Sequence, residues 1–212
     1  MDMPFVLGGV IGGALIGVAA DRLASRWPAH PDGSIRPVDW RTAAVVLAGA
    51  AAFGGLLARW DDPRDVLVLG IYIAALIVLL ATDLDQMLLP DLITLPLIVY
   101  TAVVLVAGLN PVLAEKGLGL VSGIIAAVVA PALLWVTDKL FRGALGMGDL
   151  KLAVSLGLVA GLTNLFVGFL VATVAFAFVV ILLLATRRVS LRTAIPFGPA
   201  LIAAGVIAIL LT

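Results

Sequence analysis

The sequence predicts an all-α polytopic membrane protein, a bundle of about eight transmembrane helices with seven as the alternative. Hydrophobic residues make up 63% of the 212 residues and charged residues only 12%, whereas soluble domains have about 45–50% and about 25%. Because a chain of this size cannot bury so much apolar surface in its own core, lipid must cover part of it. A helix crosses the bilayer with about 20 residues, so eight crossings leave only short loops. We therefore expect one integral-membrane domain, 1–212.

Hydropathy and the positions of glycine, proline and charged residues divide the chain into eight apolar segments. In chain order they cover approximately 4–20, 42–58, 66–82, 92–109, 117–137, 150–161, 164–185 and 195–211. Helices are expected rather than barrel strands, because the segments are long and do not alternate, and a helix satisfies its own backbone hydrogen bonds in lipid. The sixth segment is short, so we expect it to be tilted, partly embedded or closely joined to the seventh through Gly161, Thr163 and Asn164.

The first segment is rich in glycines spaced four residues apart, a pattern that favours close contact between helices. These glycines are Gly8, Gly9, Gly12, Gly13 and Gly17. We expect them to pack within this chain, and the alternative is a dimer interface.

The distribution of lysine and arginine predicts the orientation in the membrane. With the N-terminus outside, ten basic residues fall in inner loops and three in outer loops, a strong positive-inside bias. The inner residues are Arg22, Arg26, Arg36, Arg41, Lys139, Arg142, Lys151, Arg187, Arg188 and Arg192. The outer residues are Arg59, Arg64 and Lys116.

The composition excludes several classes of function. The chain has no cysteine and a single histidine, His30, so we expect no disulfide, no thiol nucleophile and no metal site. Its 13 basic and 13 acidic residues balance, and net charge therefore predicts no nucleic-acid partner. His30 lies in a proline-containing loop, 21–41, that is too short to fold alone. We interpret His30 as part of the polarity of this loop.

Two stretches place carboxyl groups at the cytoplasmic end of a predicted span. The stretch 82–91 (Thr-Asp-Leu-Asp-Gln-Met-Leu-Leu-Pro-Asp) follows the third span, and 146–151 (Gly-Met-Gly-Asp-Leu-Lys) opens the sixth. The predicted topology puts both at the same membrane face. Ionisable groups at membrane depth are costly and usually functional, so these acids are the candidate site.

Two carboxyl groups held a few ångströms apart do not both ionise, and a protonated acid beside an ionised base can activate water for attack on a peptide carbonyl. This chemistry needs no metal and no nucleophilic serine or cysteine. Gly146 and Gly148 lack side chains and would let backbone or substrate approach Asp149 closely. Pro90 and Pro96 restrict the chain at the start of the fourth span.

Structural roles are the alternative for each of these acids. Asp149 could simply cap the N-terminus of its helix. Asp83, Asp85 and Asp91 could belong to a solvated interfacial loop, with Asp91 capping the fourth span. A Gly-x-Gly-Asp string also arises by chance about 0.1 times in a chain of this composition, so the motif alone is weak.

The two stretches, together with Ile-Pro-Phe-Gly-Pro-Ala-Leu at 195–201, resemble the type IV prepilin peptidases, membrane aspartic proteases of the Gly-x-Gly-Asp class. The resemblance covers roughly 66–212. It implies that Asp83 and Asp149 are the two catalytic aspartates. The accessory or substrate-binding positions would be Asp85, Pro90, Asp91, Gly146, Gly148 and Lys151. The resemblance supports no catalytic role for Lys151, whose alternative is snorkelling at the inner face.

The same resemblance implies an aspartic endopeptidase of the bacterial cytoplasmic (inner) membrane, with its active site facing the cytoplasm. It would remove the leader peptide from type IV prepilin or pseudopilin precursors that are inserted in the lipid bilayer. Longer members of the family carry a cytoplasmic insert with paired Cys-x-x-Cys motifs and also methylate the new N-terminus using S-adenosylmethionine. Here 21–41 has no cysteine, and Gly17 stands where those members have an asparagine. We therefore expect peptidase activity without methylation, and no cofactor.

Two functions from other classes remain open. A small ion- or proton-coupled transporter could use the inner-face aspartates as ligands, and it would need a continuous polar pathway or inverted repeats. The stretches between these acids and the outer face are mainly Ala, Val, Leu and Ile, which argues against a pathway. A membrane scaffold of a pilus or secretion assembly is also possible, but it gives the two acids no role.

Overall fold

The computed structural model describes residues 3–30, 33–114, 119–140, 146–186 and 196–211. These residues form eight α-helices and no β-strand. The helices are α1 (Met3–Ala24), α2 (Trp40–Arg59), α3 (Pro63–Gln86), α4 (Asp91–Val106), α5 (Pro111–Ala114), α6 (Gly119–Leu140), α7 (Met147–Ala185) and α8 (Gly198–Leu210). By length and composition, six helical segments of the described chain can cross a membrane, and α8 is a shorter apolar helix. The predicted all-α polytopic fold is confirmed.

The sixth and seventh predicted spans are joined in one element, α7, which is broken at Gly161. The backbone there has φ 68° and ψ 179°, a conformation that is essentially restricted to glycine. Polar side chains satisfy the backbone groups that the break exposes, as a helix in lipid requires. Asn110 Nδ2 donates to the carbonyl oxygens of Leu158 and Val159, at 3.1 and 3.0 Å. Ser122 Oγ accepts from the amide of the residue after Gly161 at 2.9 Å.

Three of the five glycines in the first helix pack α1 against α2 within the chain, as expected, whereas an added Cβ at Gly8 or Gly12 would have no neighbour within 4 Å. Gly9, Gly13 and Gly17 are buried, and a Cβ at Gly13 would lie 2.7 Å from the backbone carbon of Gly49. Gly12, one residue earlier on another face of α1, has no neighbouring atom within 4 Å of the same position.

We expect Gly13→Ala to destabilise the protein by about 1–3 kcal/mol, because the added methyl group forces two backbones apart. Gly12→Ala is the matched control and should leave stability unchanged or slightly higher, since alanine favours helix more than glycine. Thermal unfolding in detergent, followed by circular dichroism, measures both. Equal midpoints for the two variants would contradict the close α1–α2 contact.

Helix α3 is the most buried of the long helices and lies at the centre of the bundle. About half of its apolar stretch is buried, against 17–28% for the other long helices. Leu69, Ile73, Leu76 and Ile77 are at most 1% exposed, whereas many large apolar side chains of the other helices face outward, where lipid would cover them. The C-terminal end of α3 is therefore held from several sides, and that end carries Asp83.

Candidate active site

Asp83 lies in the last turn of α3, at the point where the helix ends. Met87 adopts the left-handed conformation (φ 54°, ψ 41°), and its amide donates to the Asp83 carbonyl at 2.9 Å. The left-handed residue terminates the helix and turns the chain toward α4. The Asp83 side chain points into the bundle and is only 5% exposed.

Asp149 lies in the first turn of α7, three residues after the N-cap Gly146. Its Oδ2 accepts from the Gly146 amide at 3.0 Å, so one oxygen satisfies a free amide at the helix N-terminus. The capping alternative is thus partly correct. The other oxygen, Oδ1, is buried and has no hydrogen-bond partner among the described residues.

The fold brings Asp83 and Asp149 together across the meeting point of α3, α7 and α8. The two carboxyl groups are close enough for their charges to repel each other. Asp83 Oδ2, like Asp149 Oδ1, is buried without a hydrogen-bond partner in the described part of the chain. Buried polar atoms are normally paired, so this pair of free oxygens is suited to binding a water molecule and a peptide group.

The third side of the site is the start of α8. Gly198 packs directly on the Asp83 carboxyl group: a Cβ there would lie 2.7 Å from Asp83 Cγ. No larger residue fits without displacing the carboxyl group. The neighbouring Phe197 contacts Phe169 of α7 edge to face, with ring centroids 6.5 Å apart, which fixes the start of α8 against α7.

The two glycines of the Gly-x-Gly-Asp motif have different roles. A Cβ on Gly148 would lie 2.7 Å from Leu89 Cβ and 3.1 Å from the Leu89 oxygen, in the segment that follows α3. A Cβ on Gly146 would lie 3.5 Å from Asp149 Oδ2, which is an ordinary contact. Gly148 therefore allows the α3–α4 connection to pack on the start of α7.

We expect Gly148→Ala to lower the cleavage rate by about tenfold or more, because it pushes Leu89 and the start of α7 apart and a shift near 1 Å misaligns reacting groups. Gly146→Ala, the matched control, should retain most activity, since its Cβ has space. Initial rates of precursor cleavage measure both. If Gly146→Ala were as impaired as Gly148→Ala, the close contact between Gly148 and Leu89 would not explain why the motif contains glycine.

The predicted accessory residues Asp91 and Lys151 form an exposed ion pair. Lys151 Nζ lies 2.6 Å from Asp91 Oδ1, and the Asp91 side chain is 61% exposed. Pro90 is the N-cap of α4 but makes no side-chain cap, and Asp91 is the first residue of that helix. The pair links α4 to α7 at the edge of the site, and an exposed pair contributes little stability.

Asp85 does not lie in a solvated loop, and that alternative is wrong. Its side chain is 1% exposed and is surrounded by basic groups from the 21–41 loop and the start of α2. Arg36 Nε lies 2.7 Å from Asp85 Oδ1, and Arg41 Nη1 lies 3.1 Å from the same oxygen. His30 Nε2 lies 3.0 Å from Asp85 Oδ2, so His30 contributes more than loop polarity.

The Arg36 guanidinium remains charged in this environment. Burial lowers its pKa, but the hydrogen bond to Asp21 and the surrounding carboxylates more than offset this, and the pKa lies above its usual value. Buried charges of this kind are tolerated only when they are paired.

Comparison with known proteins connects this geometry to a family. Residues 70–185, more than half of the chain, match the profile of the Type IV leader peptidase family. The chain belongs to the type IV leader peptidase family. The resemblance inferred from the sequence motifs is therefore confirmed, and both Asp83 and Asp149 fall inside the matched region.

Several curated members of the family are similar to the chain. The prepilin leader peptidase/N-methyltransferase of Pseudomonas putida is 35% identical over 172 residues, which cover 78% of this chain and 57% of that protein. The protein of the same name from Burkholderia pseudomallei (strain 1026b) is 34% identical over 174 residues, 80% of this chain and 54% of the relative. The chain thus spans about half the length of the curated relatives it matches. The comparison with solved structures found no match.

The sequence alone assigned no role to several residues around the candidate active site of this leader peptidase family member. Gly198 was visible only as part of the 195–201 motif, and its contact with Asp83 depends on how α8 folds back on α3. Arg36 and Arg41 were counted as inner-face charges. The available signal was a small imbalance: the 21–41 loop carries four arginines and three aspartates, so one positive charge needs an acid from elsewhere in the chain.

Proposed function

We propose that this protein is a membrane aspartic endopeptidase that removes the leader peptide from type IV prepilin-like precursors. The observation that carries the proposal is the pair of buried carboxyl groups, each with one oxygen that lacks a protein partner among the described residues. Membership in the leader peptidase family supports the same chemistry.

The proposed mechanism uses Asp83 and Asp149 as a pair that shares one proton. The ionised carboxylate takes a proton from a water molecule as the water oxygen attacks the scissile carbonyl carbon. The protonated carboxyl group donates its proton to the carbonyl oxygen, which gives a tetrahedral diol. The diol then collapses, the C–N bond breaks, and the leaving amine takes a proton from the pair. Burial of both groups excludes bulk water, which strengthens these interactions.

An apolar cavity one helical turn from the acid pair suits an apolar side chain of a substrate that is itself a membrane helix. Its volume is about 120 Å³, and it lies between α6, α7 and α8. Ala153, one turn from Asp149, and Leu201, one turn from Gly198, are among its lining residues. The lining residues Leu133 and Phe166 are 62% and 68% exposed, so the cavity opens toward lipid. We propose that a side chain of the apolar segment after the cleavage site enters this cavity, so that the segment presents the peptide bond to the acids.

We propose that the acids face the cytoplasm of a bacterial inner membrane. Support comes from the excess of lysine and arginine in the loops at the same predicted face. Asp83 and Asp149 both lie at helix ends rather than in the middle of a span, where a hydrophilic leader could reach them without crossing the membrane.

We propose that the protein does not methylate its product, although its relatives are named as both peptidases and N-methyltransferases. In the described part of the 21–41 loop, the acidic and basic side chains other than Arg26 pair with one another or with α3. We infer that these paired side chains are not available to hold S-adenosylmethionine.

A transporter is not favoured. Between the acids and the opposite face, the buried polar side chains that the structure describes are isolated or bonded locally: Thr101 Oγ1 donates to the carbonyl of Ile98 at 3.0 Å. Ser155 Oγ donates to the carbonyl of Leu152 at 2.8 Å and lies 3.5 Å from the Tyr72 hydroxyl. The fully buried side chains of Leu76, Leu79 and Leu152 separate this pair from the acids.

The proposed function is tested by incubating the protein in liposomes with several prepilins and S-adenosylmethionine. Mass spectrometry of the products should show cleavage after the leader and no addition of a methyl group. Absence of cleavage for every precursor would overturn the peptidase proposal, and a product heavier by one methyl group would overturn only the proposal on methylation.

A further inference from the structure

A buried group of charged side chains lies on the side of α3 opposite the candidate active site. It joins the ends of three helices to the 21–41 loop, and we refer to it as the loop ion-pair cluster. It consists of Asp21, Arg22, His30, Arg36, Asp39, Arg41 and Asp85. The proposed cleavage mechanism does not use any of these residues.

Arg36 is the centre of the loop ion-pair cluster. Its guanidinium contacts three carboxylates on three different segments, namely Asp21, Asp39 and Asp85. The first is fully buried near the end of α1, the second is the N-cap of α2, and the third is in the last turn of α3. A planar guanidinium with five donors can bridge several acids in this way, whereas an ammonium group is a single point charge.

The geometry of a helix turn connects this cluster to the candidate active site. Asp85 follows Asp83 by two residues in the last turn of α3, and residues two apart point to different faces of a helix. One face meets Gly198 and Asp149, while the other meets Arg36 and Arg41.

The loop holds the next residue of α3 as well. Gln86 Nε2 donates to the carbonyl of Pro28 at 2.7 Å. The last turn of α3 is therefore attached to the loop by an ion pair and a hydrogen bond, directly before the left-handed residue that ends the helix.

We propose that Arg36 and Asp85 are positioning residues, which hold the end of α3 so that the Asp83 carboxyl group faces Asp149. The 21–41 loop would thus set the geometry of the acid pair, although its described residues form no hydrogen bond or ion pair with either acid. The effect on catalysis rests on the proposed function, whereas the effect on the Asp83 carboxyl group does not.

The first readout is enzymatic. Arg36→Gln and Asp85→Asn should each lower kcat by about tenfold or more with KM nearly unchanged, because they displace a catalytic group by a fraction of an ångström without touching the substrate. Rates are normalised to the folded, monodisperse fraction after size-exclusion chromatography. Arg36→Lys should restore part of the rate through its charge. Arg26→Gln, which removes an exposed arginine of the same region, is the matched control and should behave like the wild type.

The second readout does not need a substrate. In the infrared difference spectrum between the wild type and Asp83→Asn, the carboxyl band that is lost belongs to Asp83. That band should shift in Arg36→Gln and in Asp85→Asn, but not in Arg26→Gln. An unshifted band overturns the proposal, as does an unchanged kcat when the wild type cleaves. If the wild type cleaves no precursor and the band shifts, the positioning role stands and the proposed function fails. Should Arg36→Gln not fold, Asp85→Asn decides both readouts, because asparagine keeps the size of the side chain.

Discussion

Replacing either Asp83 or Asp149 with asparagine is expected to lower precursor cleavage by about 10²–10⁴-fold or more, the usual contribution of a positioned acid or base. Asparagine has nearly the same shape as aspartate but can neither take a proton from water nor hold one for transfer. Each substitution also removes charge from a buried site, so neither should unfold the protein. The loss is therefore expected in kcat, with the folded state retained.

Cleavage of a prepilin in liposomes, quantified by mass spectrometry, measures this loss. Asp61→Asn is the matched control, because Asp61 is exposed and lies just before α3, at the end of the helix remote from the acid pair. The control should cleave at the wild-type rate. An Asp149→Asn variant that cleaves as fast as the control would remove Asp149 from the mechanism.

Gly198→Ala is expected to have the second largest effect, a fall in cleavage of about a hundredfold. The added Cβ would lie 2.7 Å from Asp83 Cγ, closer than real Cβ contacts allow, so either the carboxyl group or the start of α8 must move. Backbone strain is not the cause, since alanine is an acceptable residue in the first turn of a helix. The effect should thus appear in kcat more than in stability.

Measuring the kinetics and the thermal unfolding of Gly198→Ala and Gly146→Ala side by side distinguishes an effect on kcat from an effect on stability. Both substitutions add one methyl group next to an acid of the pair, but only the one at Gly198 meets a carboxyl carbon at short distance. Wild-type kcat for Gly198→Ala would show that α8 does not confine Asp83.

Much of the fold follows from properties that the sequence carries locally. Long apolar segments identify the helices, because lipid leaves the backbone few other ways to satisfy its hydrogen bonds. The break in α7 was also foreseeable, since the sixth segment is too short to cross and Gly161 lies at its end. The side chains that satisfy the backbone at that break could not be predicted, because Asn110 reaches it from the segment between α4 and α5 and Ser122 from α6.

The candidate site also contains residues that could be predicted from the sequence and residues that could not. Asp83 and Asp149 were predictable because each lies at the end of an apolar segment in a recognisable motif, and a shared membrane face made their meeting plausible. Gly198 and Arg36 could not be predicted, because their roles depend on contacts between segments far apart in the chain. The alternative of a solvated loop arose for Asp85 because its partners, His30, Arg36 and Arg41, precede it by more than forty residues.

The most direct test of the central claim is a double-mutant cycle on the acid pair. Residues that act as one catalytic unit are strongly non-additive, so removing both costs about as much as removing one. We expect Asp83→Asn, Asp149→Asn and the double variant to share the same residual rate of prepilin cleavage, far below the wild type. Partial losses in the single variants that multiply in the double variant would show that the two aspartates act independently, and would contradict the shared mechanism.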